Sequence, residues 1–169
     1  MVLNTKKRML AGLMAVLAGF SAYAQNRAQA VEFSLPSTDG QTVTSGSLRG
    51  EVVVLAFGAS WLPLSKTQLQ GVRKLADEYS NRGVVVYWVS TESDDPKSKN
   101  FASDEQLRAF SQKYGLKVTV LRDHDGVVSK KFGVDQLPSI VILDKEGNMS
   151  GAKTLEVVRR WQSFSTWDR

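Results

Sequence analysis

Residues 52–66 read VVVLAFGASWLPLSK, and their order decides the fold. Val52 to Phe57 is a short, wholly apolar, β-branched run, the pattern of a strand buried on both faces. Pro63 is suited to the first turn of a helix, where its missing N–H costs nothing. Behind it Leu69, Val72, Leu75, Ala76 and Tyr79 recur at helical spacing, and Gly83 stands just past the expected end. A second apolar run, Val84 to Val89, follows at once. The segment therefore predicts a strand-helix-strand unit whose first connection is the short turn Gly58-Ala59-Ser60-Trp61-Leu62.

Working outward, Ser103-Asp104-Glu105-Gln106 fits a capping box, so a helix is expected through Leu107, Phe110 and Tyr114 to a stop near Gly115. Val118 to Leu121 and Ser139 to Leu143 read as strands, with a short helix from Val127 to Phe132 between them. Asp144 to Asn148 reads as a turn, leaving Met149 to Lys153 for a final edge strand. An amphipathic helix is expected from about Thr154, with Leu155, Val158, Trp161 and Phe164 inward and Trp167 as a contact patch. On the other side, Asp39-Gly40 between Val31–Leu35 and Gln41–Thr44 predicts a small hairpin. The last crossover is too short for a parallel return, so the whole is expected to be a three-layer α/β/α domain with a mixed central sheet and an N-terminal β-hairpin.

Composition agrees. A chain of 169 residues, 42% hydrophobic and 23% charged, suits one domain with one core, and nothing repeats at a fixed period. Lys6, Lys7 and Arg8, the apolar run Met9 to Phe20, and Ala22-Tyr23-Ala24 form the three parts of a secretory signal peptide, expected to be cleaved after Ala24. Residues 1–24 are thus read as signal and 25–169 as the domain, exported to a bacterial periplasm or secreted. Contact with a membrane is expected only through the signal segment, if it is not removed. Without those three basic residues the net charge falls from +5 to +2, and no Lys/Arg run interleaved with aromatics remains. Nucleic acid is therefore not an expected partner. The chain contains no cysteine, although export leads to a compartment that permits disulfides. That excludes a disulfide framework, thiolate metal sites and thiol nucleophiles.

The turn and its surroundings also carry a resemblance. Phe57-Gly58-Ala59-Ser60-Trp61-Leu62-Pro63-Leu64-Ser65-Lys66 resembles the F-x-A-x-W-C-P-x-C-[KR] active-site segment of thioredoxin-fold proteins of the TlpA/ResA type, exported thiol-disulfide oxidoreductases related to the AhpC/TSA proteins. Phe33-Ser34-Leu35 with Asp39-Gly40 is similar to that family's opening hairpin. Arg82-Gly83-Val84, Tyr114-Gly115-Leu116, Asp123 and Asp125-Gly126 fall in the family's order. Phe132-Gly133-Val134-Asp135-Gln136-Leu137-Pro138-Ser139 resembles its Y-G-V-x-x-x-P-[ST] segment. The resemblance implies a thioredoxin-like fold and a cis-proline at Pro138.

The departure is as informative. Leu62 and Ser65 stand where the family has its two cysteines, of which the first attacks a disulfide and the second resolves the mixed disulfide. Leu62 carries no nucleophile. Ser65 is a weak one without a base, and it is expected to satisfy a first-turn helix N–H instead. No catalytic residue is therefore assigned. What the resemblance leaves is a groove of Trp61, Leu62, Pro63, Leu137 and Pro138, able to take an extended peptide as an added strand.

His124, the only histidine, lies between Asp123 and Asp125, but these residues fit a turn before Gly126 better than a set of metal ligands, so no metal or cofactor is expected. Thr91 to Asn100 is read as a polar surface loop that can border the groove. Three functions follow. The favoured one is a redox-inactive exported protein that holds a peptide or protein partner of the cell envelope. The alternatives are an oxidoreductase or antioxidant of the thioredoxin or peroxiredoxin kind, as the resemblance alone would imply, and a structural subunit docking through its C-terminal aromatics.

Overall fold

The computed structural model describes residues 30–154. The expected signal segment, and Leu155, Val158, Trp161, Phe164 and Trp167 of the expected terminal helix, lie outside that range.

A hairpin of β1 (Ser34–Pro36) and β2 (Thr42–Thr44) precedes a five-stranded sheet. The chain then runs β3 (Val52–Gly58), α1 (Pro63–Tyr79), β4 (Val84–Ser90), α2 (Asp104–Lys113), β5 (Val120–Arg122), α3 (Val127–Lys131), β6 (Ser139–Leu143) and β7 (Met149–Thr154). The spatial order is β5-β4-β3-β6-β7. β3, β4 and β5 run parallel, while β6 and β7 are antiparallel additions. This is the mixed sheet the short last crossover requires. It belongs to the thioredoxin-like fold.

Because side chains alternate across a strand, β3 feeds two cores. Val53, Leu55 and Phe57 join Phe33, Leu121, Phe132 and Val141 on the hairpin and α3 face. Val54 and Ala56 join Leu69, Val72, Trp88 and Leu107 beneath α1 and α2. Continuous apolarity in residues 52–57 is the sequence image of that double burial.

The helix ends follow local chemistry. Ser103 Oγ accepts the Gln106 N–H at 3.2 Å, and Gln106 Oε1 accepts the Ser103 N–H at 2.8 Å, so the capping box is formed. Gly83 takes the left-handed conformation (φ 72°) after a 3₁₀ turn at Ser80–Arg82, which ends α1 and feeds β4. Three expected boundaries move. β1 starts at Ser34 because the Val31 N–H donates to the Gly147 carbonyl and the Phe33 N–H to Ser45 Oγ, outside any ladder. β5 lies later than expected because Arg122 pairs with Ser90 at the end of β4, while Val118 precedes the ladder. Thr154 does not open a helix, since it is the last residue of β7 and stands opposite Ser139.

Carboxylates at or near the surface brace two turns and the first turn of α2. Asp144 accepts the N–H groups of Glu146 and Asn148 across the β6–β7 turn, and those bonds lower its pKa. A backbone hydrogen bond likewise lowers Asp125, chiefly from the Val127 N–H, and Glu105, from its own amide. A carboxylate whose folded pKa is depressed adds stability above its ordinary value and loses it as pH falls through the folded value. Chemical denaturation midpoints are therefore expected to stay level from neutral pH down toward 4.5, the ordinary glutamate value, and to fall progressively below 3.8, that of aspartate. Asp144→Asn should flatten the acid limb. An unchanged limb would contradict the assignment.

Candidate functional site

The site forms where the parallel strand β3 ends and α1 begins, at the carboxyl edge of the sheet. Gly58 closes the strand, and its carbonyl accepts the Thr91 N–H at 3.1 Å. The chain then turns through Ala59–Leu62, closed by the Leu62 N–H donating to the Ala59 carbonyl at 3.1 Å. Leu62 is the N-cap of α1 in an extended conformation, and Pro63 occupies the first turn as its chemistry predicts.

Ser139 stands opposite Phe57, which brings the Leu137–Pro138 bond beside Gly58. That bond is cis. The structure thus gathers Trp61, Leu62, Pro63, Leu137 and Pro138 at one end of the molecule. They differ in exposure. Trp61 is 60% exposed and its neighbour Leu64 is 56% exposed, while Leu62 and Leu137 are half-buried and Pro138 is buried.

Ser65 is wholly buried. Its hydroxyl accepts the Ala59 N–H at 3.1 Å, so it braces the preceding turn rather than the first-turn amide of the helix expected from sequence. A side-chain oxygen one helical turn in can reach back across the connection because the chain doubles over Gly58. A Cβ on Gly58 would lie 2.9 Å from Ser65 Oγ, 3.0 Å from Trp88 Nε1 and 3.1 Å from Gln68 Oε1, so glycine is required there by close approach. None of these groups is a base able to activate the serine.

Three residues at the site escaped the sequence reading. Gln68 is buried and donates through Nε2 to the carbonyls of Phe57 (3.3 Å) and Ser139 (3.0 Å), tying α1 to both strands beneath the turn. Its signal was a polar residue on the apolar stripe beside Leu69 and Val72. Glu92 is 1% exposed, and its carboxylate accepts the Ser60 N–H (2.9 Å), Ser60 Oγ–H (2.6 Å) and Ser90 Oγ–H (2.9 Å). Asn100 Oδ1 accepts the Trp61 indole N–H at 2.7 Å. Glu92 and Asn100 sit in a run so polar that nothing marked them as buried or engaged. The loop lies against the Trp61 turn.

His124 is elsewhere and exposed, its Nε2 3.9 Å from Asp94 Oδ2. Asp123 turns inward to accept the N–H groups of Val128 and Ser129 at the start of α3. Among the described residues no three His, Asp or Glu side chains come together as metal ligands.

The arrangement is the thioredoxin-like active-site face with its sulfurs replaced. Comparison with known proteins agrees with that class. The chain belongs to the AhpC/TSA family, whose model matches residues 27–151. It is 27% identical over 154 residues to the thioredoxin-like protein YneN of Bacillus subtilis, covering 83% of this chain and 86% of that one. It is 23% identical over 140 residues to the thiol-disulfide oxidoreductase ResA of Halalkalibacterium halodurans, covering 80% and 74%. A putative thioredoxin from Neisseria meningitidis superposes with a TM-score of 0.65 at 28% identity, covering 81% of this chain and 87% of that one.

Proposed function

We propose that this chain is a redox-inactive thioredoxin-fold protein of the cell envelope that holds an extended peptide or partner domain non-covalently at the former active-site face. The absence of cysteine closes dithiol exchange and peroxidatic chemistry to its own side chains. Export rests on the basic, apolar and small-residue parts of residues 1–24.

One observation carries the binding reading. The polar groups of the turn are engaged internally, Ser60 by Glu92, Ser65 by Ala59 and the Trp61 indole by Asn100, yet the Trp61 ring and Leu64 are exposed. Such a surface offers apolar contact and main-chain pairing but no group for catalysis. Fixed aromatic anchors of this kind dominate binding energies at interfaces.

The test is capture from the source's own envelope extract on the immobilised full chain, beside a Trp61→Ala, Leu62→Asp variant. A partner retained by the parent in excess reductant, and held at least about tenfold less by the variant, supports the reading. Equal retention by both, or by neither, overturns it.

A further inference from the structure

We propose that Glu92 and Asn100, on the loop between β4 and α2, are positioning residues that fix the Trp61 turn in its binding shape, and that Arg122 at the end of β5 holds Glu92 for that task. The inference rests on the groove reading above and names how that site is kept preorganised.

Trp61 and Ser60 are attached to the rest of the molecule mainly through this loop. Ser60 gives both its N–H and its hydroxyl proton to the Glu92 carboxylate. One carboxylate oxygen takes the hydroxyl and the other the amide, so Ser60 is held by both ends of the same buried group. The Trp61 indole N–H goes to Asn100 Oδ1, and Asn100 Nδ2 donates to the Thr91 carbonyl at 3.0 Å, so the amide cannot swing away without breaking a second bond. A tryptophan 60% exposed on a turn would ordinarily sample several rotamers; here the residue before it and its own ring are held.

Glu92 is held in turn. The Arg122 side chain is 7% exposed, with Nη2 donating to the Glu92 carbonyl at 3.1 Å and Nη1 to Asp104 Oδ1 at 2.7 Å. Arg122 also forms part of the wall of a cavity of about 370 Å³ shared with Pro36, Pro96, Phe101 and His124. The path Arg122, Glu92, Ser60 therefore runs from that cavity to the Trp61 turn through two buried residues. No cation pairs with the Glu92 carboxylate among the described residues, which leaves Ser60 and Ser90 as its work.

The experiment is amide and indole hydrogen exchange on the full chain, followed by NMR. In Glu92→Ala, which leaves the Ser60 amide without its acceptor, that amide is expected to exchange about tenfold faster. In Asn100→Ala the Trp61 indole N–H is expected to exchange about tenfold faster, and Asn100→Asp, which keeps the acceptor but loses the bond to the Thr91 carbonyl, should fall between Asn100→Ala and the parent. Core amides of Val54 and Val141 should stay as in the parent, which separates positioning from general loosening. Parent-like exchange at Ser60 and Trp61 in both variants, or equal acceleration at the core, overturns the proposal. No partner enters this readout, so it can fail while groove binding stands, and capture can fail while it succeeds.

Discussion

Leu62→Cys combined with Ser65→Cys is expected to turn this chain into a dithiol oxidoreductase. Leu62 is the N-cap of a 17-residue helix and half-buried, while Ser65 lies wholly buried in the first turn. A thiol at the first position meets the positive end of the helix dipole, which lowers a cysteine pKa from about 8.5 by one to several units and raises the thiolate fraction at neutral pH. A thiol at the second lies behind it, shielded from solvent, as a resolving group must be. The thiolate would attack a substrate disulfide, and the second thiol would release the reduced substrate by closing an internal disulfide, which dithiothreitol reopens. In an insulin-reduction assay the double variant should exceed the dithiothreitol background by about tenfold or more, whereas the parent and either single variant should not. An inactive double variant that forms no internal disulfide would show that the turn no longer has the family's geometry.

The second large effect lies in the core. Phe132 is 1% exposed and sits between Phe33 and Phe57, with ring centroids 5.8 and 6.3 Å away. It joins the hairpin, the central strand and the segment leading to Pro138. Phe132→Ala should cost about 3–5 kcal/mol by loss of buried area and the cavity left behind, lowering the melting temperature by roughly 10 °C. Val127→Ala, at the start of the short helix that Phe132 caps but 46% exposed, should change stability by less than about 0.5 kcal/mol. Equal effects from the two in a urea titration would contradict the layering described above.

The fold was largely legible because its signals are local. The apolar runs at 52–57 and 84–89, the Ser103 capping box and the Asp39-Gly40 turn each act within a few residues, and each forms as read. The positions of Trp61, Leu62, Leu137 and Pro138 at one face were also legible, through the segments that resemble the family. What stayed hidden was the polar scaffold behind them. Ser65 bonding to Ala59 depends on how sharply the chain folds over Gly58, and Glu92 reaching Ser60 spans 32 residues. Periodicity and propensity describe an element and its ends; they do not say which side chain of a polar loop will be drawn inside. The β5 boundary moved for the same reason, since a strand ends where its neighbour offers a partner.

The turn that carries Trp61 is braced by a serine hydroxyl, an asparagine amide and a glutamate carboxylate, none of which changes state when thiols and disulfides interconvert. A relative with two cysteines presents a different surface after every turnover and works only while some donor or acceptor resets it. This face needs no resetting. Under the binding reading proposed above, it offers the same shape beside an oxidant or a reductant, and its occupancy would follow the concentration of the partner and not the electron supply around it.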